Sequence, residues 1–260
     1  MTQKIQALLL PGVVLPARLA YPAVIAALGT EVDARYKELE IYATQTPEDG
    51  GFLDREVAGV LAFADAVGFE RFHLVGYSAG GASALAFCAA HPERLLSLTL
   101  NEPAWIGRAG EGPVEAEFGR QVELAASLPP EERFPAFVRI QLAPGVEPPA
   151  PPPGPAPDWM PQREAAIPIV ARSFRTAELE HGALREFAQP VLYTVGGRSH
   201  PAYRAMAERL ADVFSDFRIE EYPERHHFDP PHRAEPEAFA DVLLTHWLRA
   251  SARSAGDATV

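Results

Sequence analysis

The run Gly76-Tyr77-Ser78-Ala79-Gly80-Gly81 constrains this chain more than any other feature, because of what flanks it. An apolar stretch at 72–75 reads as a buried strand, and the small-residue run 82–90 reads as a helix. A serine between them must sit on a sharp strand-to-helix turn with a strained backbone, and the positions around it must lack side chains that would collide with neighbouring elements. The N-terminus of the following helix then favours negative charge near the serine. A bare turn serine with no chemistry is the competing reading, and the strand before it and the helix behind it weigh against that.

The rest of the chain repeats this alternation. Apolar runs bounded by Gly or Pro predict short buried strands at 5–10, 72–75, 95–100 and 191–195, with weaker candidates at 34–41 and 217–222. Helical spacing of apolar residues appears at 53–67, 82–90, 203–214 and 236–248. Strands alternating with helices imply an α/β fold with a mostly parallel sheet of about six strands covered on both faces. The segment 105–187 departs from the pattern, with helical stretches at 114–127, 131–141 and 162–180 and no convincing strand. It reads as a helical lid inserted into a core formed by 1–104 and 188–250, with 251–260 a flexible tail. Within it, 144–161 is dense in proline, which forbids a regular helix and favours a stiff extended connection. A ligand for a proline-binding module is the other reading of that stretch.

With 260 residues, 47% of them hydrophobic, the chain can bury a sizeable core. Its 23 Lys and Arg stand against 35 Asp and Glu, a net charge of −12 that argues against a nucleic-acid partner and favours a small-molecule substrate, neutral and partly apolar. The single cysteine, Cys88, cannot form an internal disulfide and reads as a small buried hydrophobe, which suits a reducing, cytoplasmic location. The apolar run at 7–10 is too short for a signal-peptide core or a membrane span, so the mature chain is expected to begin where the sequence does and to have no membrane partner. Oligomeric state is not legible.

At Gly76 to Gly81 the chain resembles the α/β-hydrolase fold superfamily of serine hydrolases, over 5–105 and 190–248. It departs from that pattern by beginning directly with the strand before the oxyanion loop, so a leading hairpin is missing and the sheet is shortened. The resemblance implies that Ser78 is the nucleophile and that the N–H of Ala79 is one oxyanion donor. By analogy the second donor is Val13, after Pro11 and Gly12, where an ordinary turn is the alternative.

The resemblance also places a histidine between the last strand and the C-terminal helix, where His226 and His227 both stand; the apolar Phe228 after it selects His227. A metal site built from His226, His227, Asp229 and His232 is the competing reading, but its spacing matches no helical ligand pair and leaves the serine unexplained. His232 reads as a loop residue, and His73, His91, His181, His200 and His246 as surface or packing residues. The loop at 196–201, where most relatives carry an acid, has no carboxylate. The alternative family position is the end of the strand after the nucleophile helix, which here runs into Asn101 and Glu102. Glu102 is therefore the expected acid, with a Ser-His dyad as the alternative. No metal and no organic cofactor is called for.

Serine at the elbow argues against the carbon-displacing chemistry of relatives with an aspartate there. Esters, lactones and thioesters remain, as does cleavage of a carbon–carbon bond next to a ketone by a hydrolase or lyase on the same scaffold. A binding protein that keeps the fold without turnover is the reading from outside enzymology.

Overall fold

The structure, a computed structural model, describes residues 4–43, 51–150 and 153–257. Strand β1 (Ile5–Leu10) is followed by helices α1 (Ala17–Ala20) and α2 (Pro22–Leu28), then strand β2 (Val32–Tyr36). Helices α3 (Glu40–Ala43) and α4 (Phe52–Ala66) lead to β3 (Phe72–Tyr77), and Ser78 alone separates β3 from α5 (Ala79–Ala90). After β4 (Leu95–Asn101) come the inserted helices α6 (Pro113–Ser127), α7 (Pro130–Ile140), α8 (Met160–Thr176) and α9 (His181–Arg185). The chain then forms β5 (Val191–Gly196), α10 (Pro201–Ala211), β6 (Phe217–Tyr222), α11 (Pro231–Ala234) and α12 (Pro236–Asp257).

Among the described residues six strands make one sheet in the order β2-β1-β3-β4-β5-β6, with every neighbouring pair parallel. The chain runs outward from β1 to β2, then crosses back to β3 and outward again to β6. The order therefore reverses between β1 and β3, and the loops after these two strands border the crevice in which open parallel sheets bind ligands.

Side chains alternate along each strand, which explains why β1 is apolar on both faces. Ala7 and Leu9 pack with Tyr21, Val24, Phe239, Leu243 and Trp247 from α2, α12 and the turn before α2. Leu8 and Leu10 pack on the other face with Val60, Leu85, Phe87 and Met206 from α4, α5 and α10. Cys88 lies fully buried in that second layer, where burial pushes its thiol well above the ordinary range and removes thiolate reactivity.

Several elements differ from the sequence-based expectation. The edge strand is β2 at Val32–Tyr36, not 34–41, because its pairing with β1 ends at Tyr36 and the chain then turns inward to bury Lys37 and Leu39. The helix after the serine begins at Ala79, three residues before the apolar pattern suggested. The helix predicted at 162–180 is α8, which ends at Thr176, with α9 a separate short helix beyond the predicted stretch, and α12 continues to Asp257. Pro135 and Pro168 sit inside α7 and α8, where apolar packing outweighs the lost backbone hydrogen bond. Residues 258–260 lie outside the described residues.

Beneath the loop after β2 lies Glu56, wholly buried, with its Oε1 accepting the N–H of Ile41 at 3.4 Å and Lys37 Nζ 3.9 Å from Oε2. Burial pushes the Glu56 carboxyl up to about 7; the Lys37 charge opposes the rise and Glu40 adds to it. The folded protein thus holds a proton that the unfolded chain releases near 4.5. Stability is unaffected by this group below the lower value, falls as pH rises between the two, and carries the full penalty above about 7. Glu56→Gln is expected to stabilise the fold by on the order of 3 kcal/mol at alkaline pH and far less near the unfolded value. Thermal unfolding of both proteins at about pH 5 and pH 8 checks this, since an equal gain at the two values excludes ionisation as the cause.

Candidate active site

Ser78 has φ 54° and ψ −119°, a conformation that costs a non-glycine residue about 1–3 kcal/mol and survives only where the surroundings hold it. Here its N–H donates to Asn101 O at 3.1 Å, and its carbonyl accepts from Ala104 N–H at 2.9 Å. Two glycines make the turn possible by close approach. A Cβ on Gly76 would lie 2.3 Å from the Gly80 carbonyl oxygen, and one on Gly80 would lie 2.5 Å from those of Leu10 and Pro11. This crowding is the physical reason for the spacing in the sequence.

His227 stands between β6 and α11, 1% exposed, and Glu102 directly follows β4, 2% exposed. His227 Nδ1 lies 2.8 Å from Glu102 Oε2, and its Nε2 lies 3.0 Å from Ser78 Oγ. Glu102 also has a positive φ of 43°, and its second oxygen, Oε1, accepts the N–H of Gly196 at 2.8 Å. The end of β5 therefore supplies a backbone donor to the acid, and the loop after it supplies no acid of its own. A carboxylate against Nδ1 keeps the proton there and leaves the Nε2 lone pair facing the serine hydroxyl.

Around this row lie residues that sequence reasoning missed. The Tyr77 ring is 5.1 Å from that of His227, and its hydroxyl donates to the His227 carbonyl oxygen. The Tyr203 ring stacks on His227 at 4.7 Å and 9°, with its hydroxyl 3.3 Å from Nε2. Tyr203 entered the sequence reading only as part of a helical pattern, and Tyr77 only as the free position of the motif.

Val13 and Ala79 line the same recess as Ser78. Ala79 opens α5, so its N–H has no intrahelical acceptor. The Val13 carbonyl accepts from Tyr42 O–H, while the guanidinium of Arg163, from α8, lies 3.5 Å over the Tyr42 ring and pairs with Glu38 at 2.8 Å. An inserted helix is thereby tied to the loop that carries Val13.

The other histidines are engaged elsewhere. His226 is half-buried and does not join the row. His232 is not a loop residue: it lies in α11, 1% exposed, with Nδ1 3.1 Å from Asn101 Nδ2, and burial lowers it to about 3. Asp229 pairs with Arg225 at 2.8 Å, so three of the four residues weighed as metal ligands, His227, Asp229 and His232, are held by other partners. His73 stacks on Trp247 and lies 2.8 Å from Ser97 Oγ; burial lowers it to about 3, and His246 to about 4. His200 caps α10 by accepting the N–H of Ala202.

Two recesses meet at Ser78. The narrow one is lined by Val122, Phe137, Ile167, Val170 and Phe174 as well as Val13 and Ala79. The other, about 670 Å³, is lined by Phe134, Val138, Trp159, Met160 and Phe228, by prolines of the 144–161 stretch, and by Arg139, Glu164 and Arg233.

A parallel sheet with β3 feeding Ser78 into α5, and helices on both faces, is the α/β-hydrolase fold. The family model for the alpha/beta hydrolase family matches residues 5–242, and the chain belongs to that family of enzymes. A stretch of 63 residues is 44% identical to the 2-hydroxy-6-oxo-6-phenylhexa-2,4-dienoate hydrolase of Comamonas testosteroni, covering 24% of this chain and 21% of that protein. Among solved structures, the hydrolase of the same name from Rhodococcus sp. strain RHA1 superposes with a TM-score of 0.66 at 18% identity, covering 94% of this chain and 91% of that one. A carboxylesterase from Bacillus subtilis gives 0.60 at 16% identity over 95% and 84%. A bacterial membrane phospholipase A gives 0.71 at 20% identity over 96% and 81%. Among the described residues of this chain, no helix is long and apolar enough to cross a membrane.

Proposed function

We propose that this chain is a serine hydrolase that cleaves a small carbonyl substrate, an ester, lactone or thioester, through an acyl-enzyme. The observation that carries the reading is the unbroken row from Glu102 through His227 to Ser78, with contacts of 2.8 and 3.0 Å. In this scheme His227 Nε2 takes the hydroxyl proton as Ser78 Oγ attacks the carbonyl carbon, and the N–H groups of Val13 and Ala79 receive the oxyanion. The proton then passes to the leaving group, and a water activated by the same histidine releases the acyl group. The helices of 105–187 act as a cap that lines both recesses. One narrow and one large recess at Ser78 favour a substrate with a small group on one side of the carbonyl and a bulky, partly apolar group on the other.

A second reading, hydrolysis of a carbon–carbon bond next to a ketone, is favoured by the 44% identity shared with the Comamonas enzyme over 63 residues. Binding without turnover is the third. A fluorophosphonate probe and a panel of p-nitrophenyl esters graded in acyl length separate them. Labelling at Ser78 with fastest turnover of short acyl chains supports the proposal. Labelling without ester turnover moves the reading to carbon–carbon cleavage, and no labelling moves it to binding.

A further inference from the structure

Gln141 closes the inserted helix α7 and is 3% exposed, although its side chain is polar. The backbone explains how it is held. His200 N–H donates to Gln141 O at 2.9 Å and Ala143 N–H to Arg198 O at 3.0 Å, so the end of α7 is stitched to the loop before α10. Tyr203 lies in the first turn of α10, and its own carbonyl accepts from Tyr193 O–H at 2.8 Å. These two anchors bring the Tyr203 hydroxyl against Gln141 Oε1, to which it donates, while the same oxygen lies 3.3 Å from His227 Nε2.

A phenol has one proton. Given to Gln141, it leaves the Tyr203 oxygen presenting a lone pair to Nε2. Because the two rings stack at 9°, that oxygen lies over the imidazole face at Nε2, where its partial negative charge favours the imidazolium over the neutral ring. We propose that Gln141, carried by the inserted helices, orients the Tyr203 hydroxyl so that its oxygen raises the basicity of His227, making the pair a positioning device for the general base. This rests on the serine-hydrolase reading for its catalytic meaning, though not for its geometry.

The titratable and charged groups around His227 are few. Glu102 faces Nδ1, and Ser78 and Tyr203 face Nε2. Tyr77 lies against the ring and, like Tyr203, is kept protonated by burial. His232 is held neutral by burial, Arg233 lies beside Tyr77 and lines the large recess, and His226 and Asp229 flank the turn.

The test compares Tyr203→Phe, Gln141→Met and the double variant with the whole enzyme. Two readouts are used: the His227 imidazole titration followed by NMR, and the acid limb of the kcat/KM profile. Tyr203→Phe keeps the stacked ring and removes the lone pair, so the titration midpoint is expected to fall by about half a pH unit, with kcat/KM near neutrality down by about two- to threefold. Gln141→Met frees the hydroxyl to turn its proton toward the ring face at Nε2, where it opposes the imidazolium, so the midpoint falls further and activity falls below that of Tyr203→Phe. The double variant, having no hydroxyl to misdirect, returns to the Tyr203→Phe level. A midpoint that is unchanged or raised in Tyr203→Phe overturns the proposal, as does a double variant whose losses add. Because the NMR titration needs no turnover, the two readings fail separately. The expected order of midpoints in a protein whose Ser78 resists the fluorophosphonate would leave the polar arrangement standing and remove the hydrolase.

Discussion

Replacing Ser78 with alanine is expected to abolish covalent catalysis, lowering ester kcat by roughly four to six orders of magnitude, the range found when the nucleophile of a serine triad is removed. The fold should be nearly unaffected. Alanine inherits the positive φ of 54° and the same backbone bonds to Asn101 and Ala104, so the strain of the turn is neither relieved nor increased. The change deletes one hydroxyl and its contact with His227 Nε2, 3.0 Å away. Circular dichroism and thermal unfolding establish the fold, and stopped or continuous assay of a short-acyl p-nitrophenyl ester measures turnover. Retention of more than about a tenth of wild-type activity would place the chemistry on another residue, because oxyanion stabilisation and binding alone account for far less.

Glu102→Gln should be the next most damaging change. The amide is close to the carboxylate in size, and its oxygen can still accept the N–H of Gly196, now 2.8 Å from Oε1. The amide NH₂ then faces His227 Nδ1, where the carboxylate Oε2 stands at 2.8 Å, and this favours the tautomer with its proton on Nε2. A histidine so protonated cannot take the serine proton, and the imidazolium loses its countercharge. The expected fall in kcat is about 10²- to 10⁴-fold, with KM little changed. Carboxylates elsewhere provide controls. Asp229 is occupied by Arg225, Asp216 pairs with Arg249, and Asp212 closes α10. Each Asp→Asn change should cost less than about tenfold, since none touches the histidine. A damaging Asp229→Asn beside a mild Glu102→Gln would reassign the acid, and indifference at all four positions would leave a Ser-His dyad.

The sequence by itself determined the class of fold and the tight turn at Ser78. Gly76 is legible because a Cβ there would meet the Gly80 carbonyl within the same turn, a local constraint, and Gly80 is legible from the motif, although its crowding comes from Leu10 and Pro11, distant in sequence. The strands at 5–10, 95–100 and 191–195 are legible because strands buried on both faces need continuous apolar runs. The proximity of Glu102 to His227, 125 residues apart in the chain, was implied only by the family resemblance, which allows an acid at this strand end.

What only the tertiary structure decided has no local signature. Edge strand β2 pairs with one neighbour, so its limits follow from register with β1 rather than from its own alternation. His232 looked like a loop residue because its burial comes largely from Tyr21 and Tyr77, distant in sequence, with Phe239 of the next helix beside them. The contact of Gln141 with Tyr203 spans 62 residues, and both residue types are ordinary helix constituents. Their meeting depends on two loops pairing by backbone hydrogen bonds, which no side-chain pattern encodes. Periodicity reports which face of an element is buried; which partner it is buried against is decided when the whole chain packs.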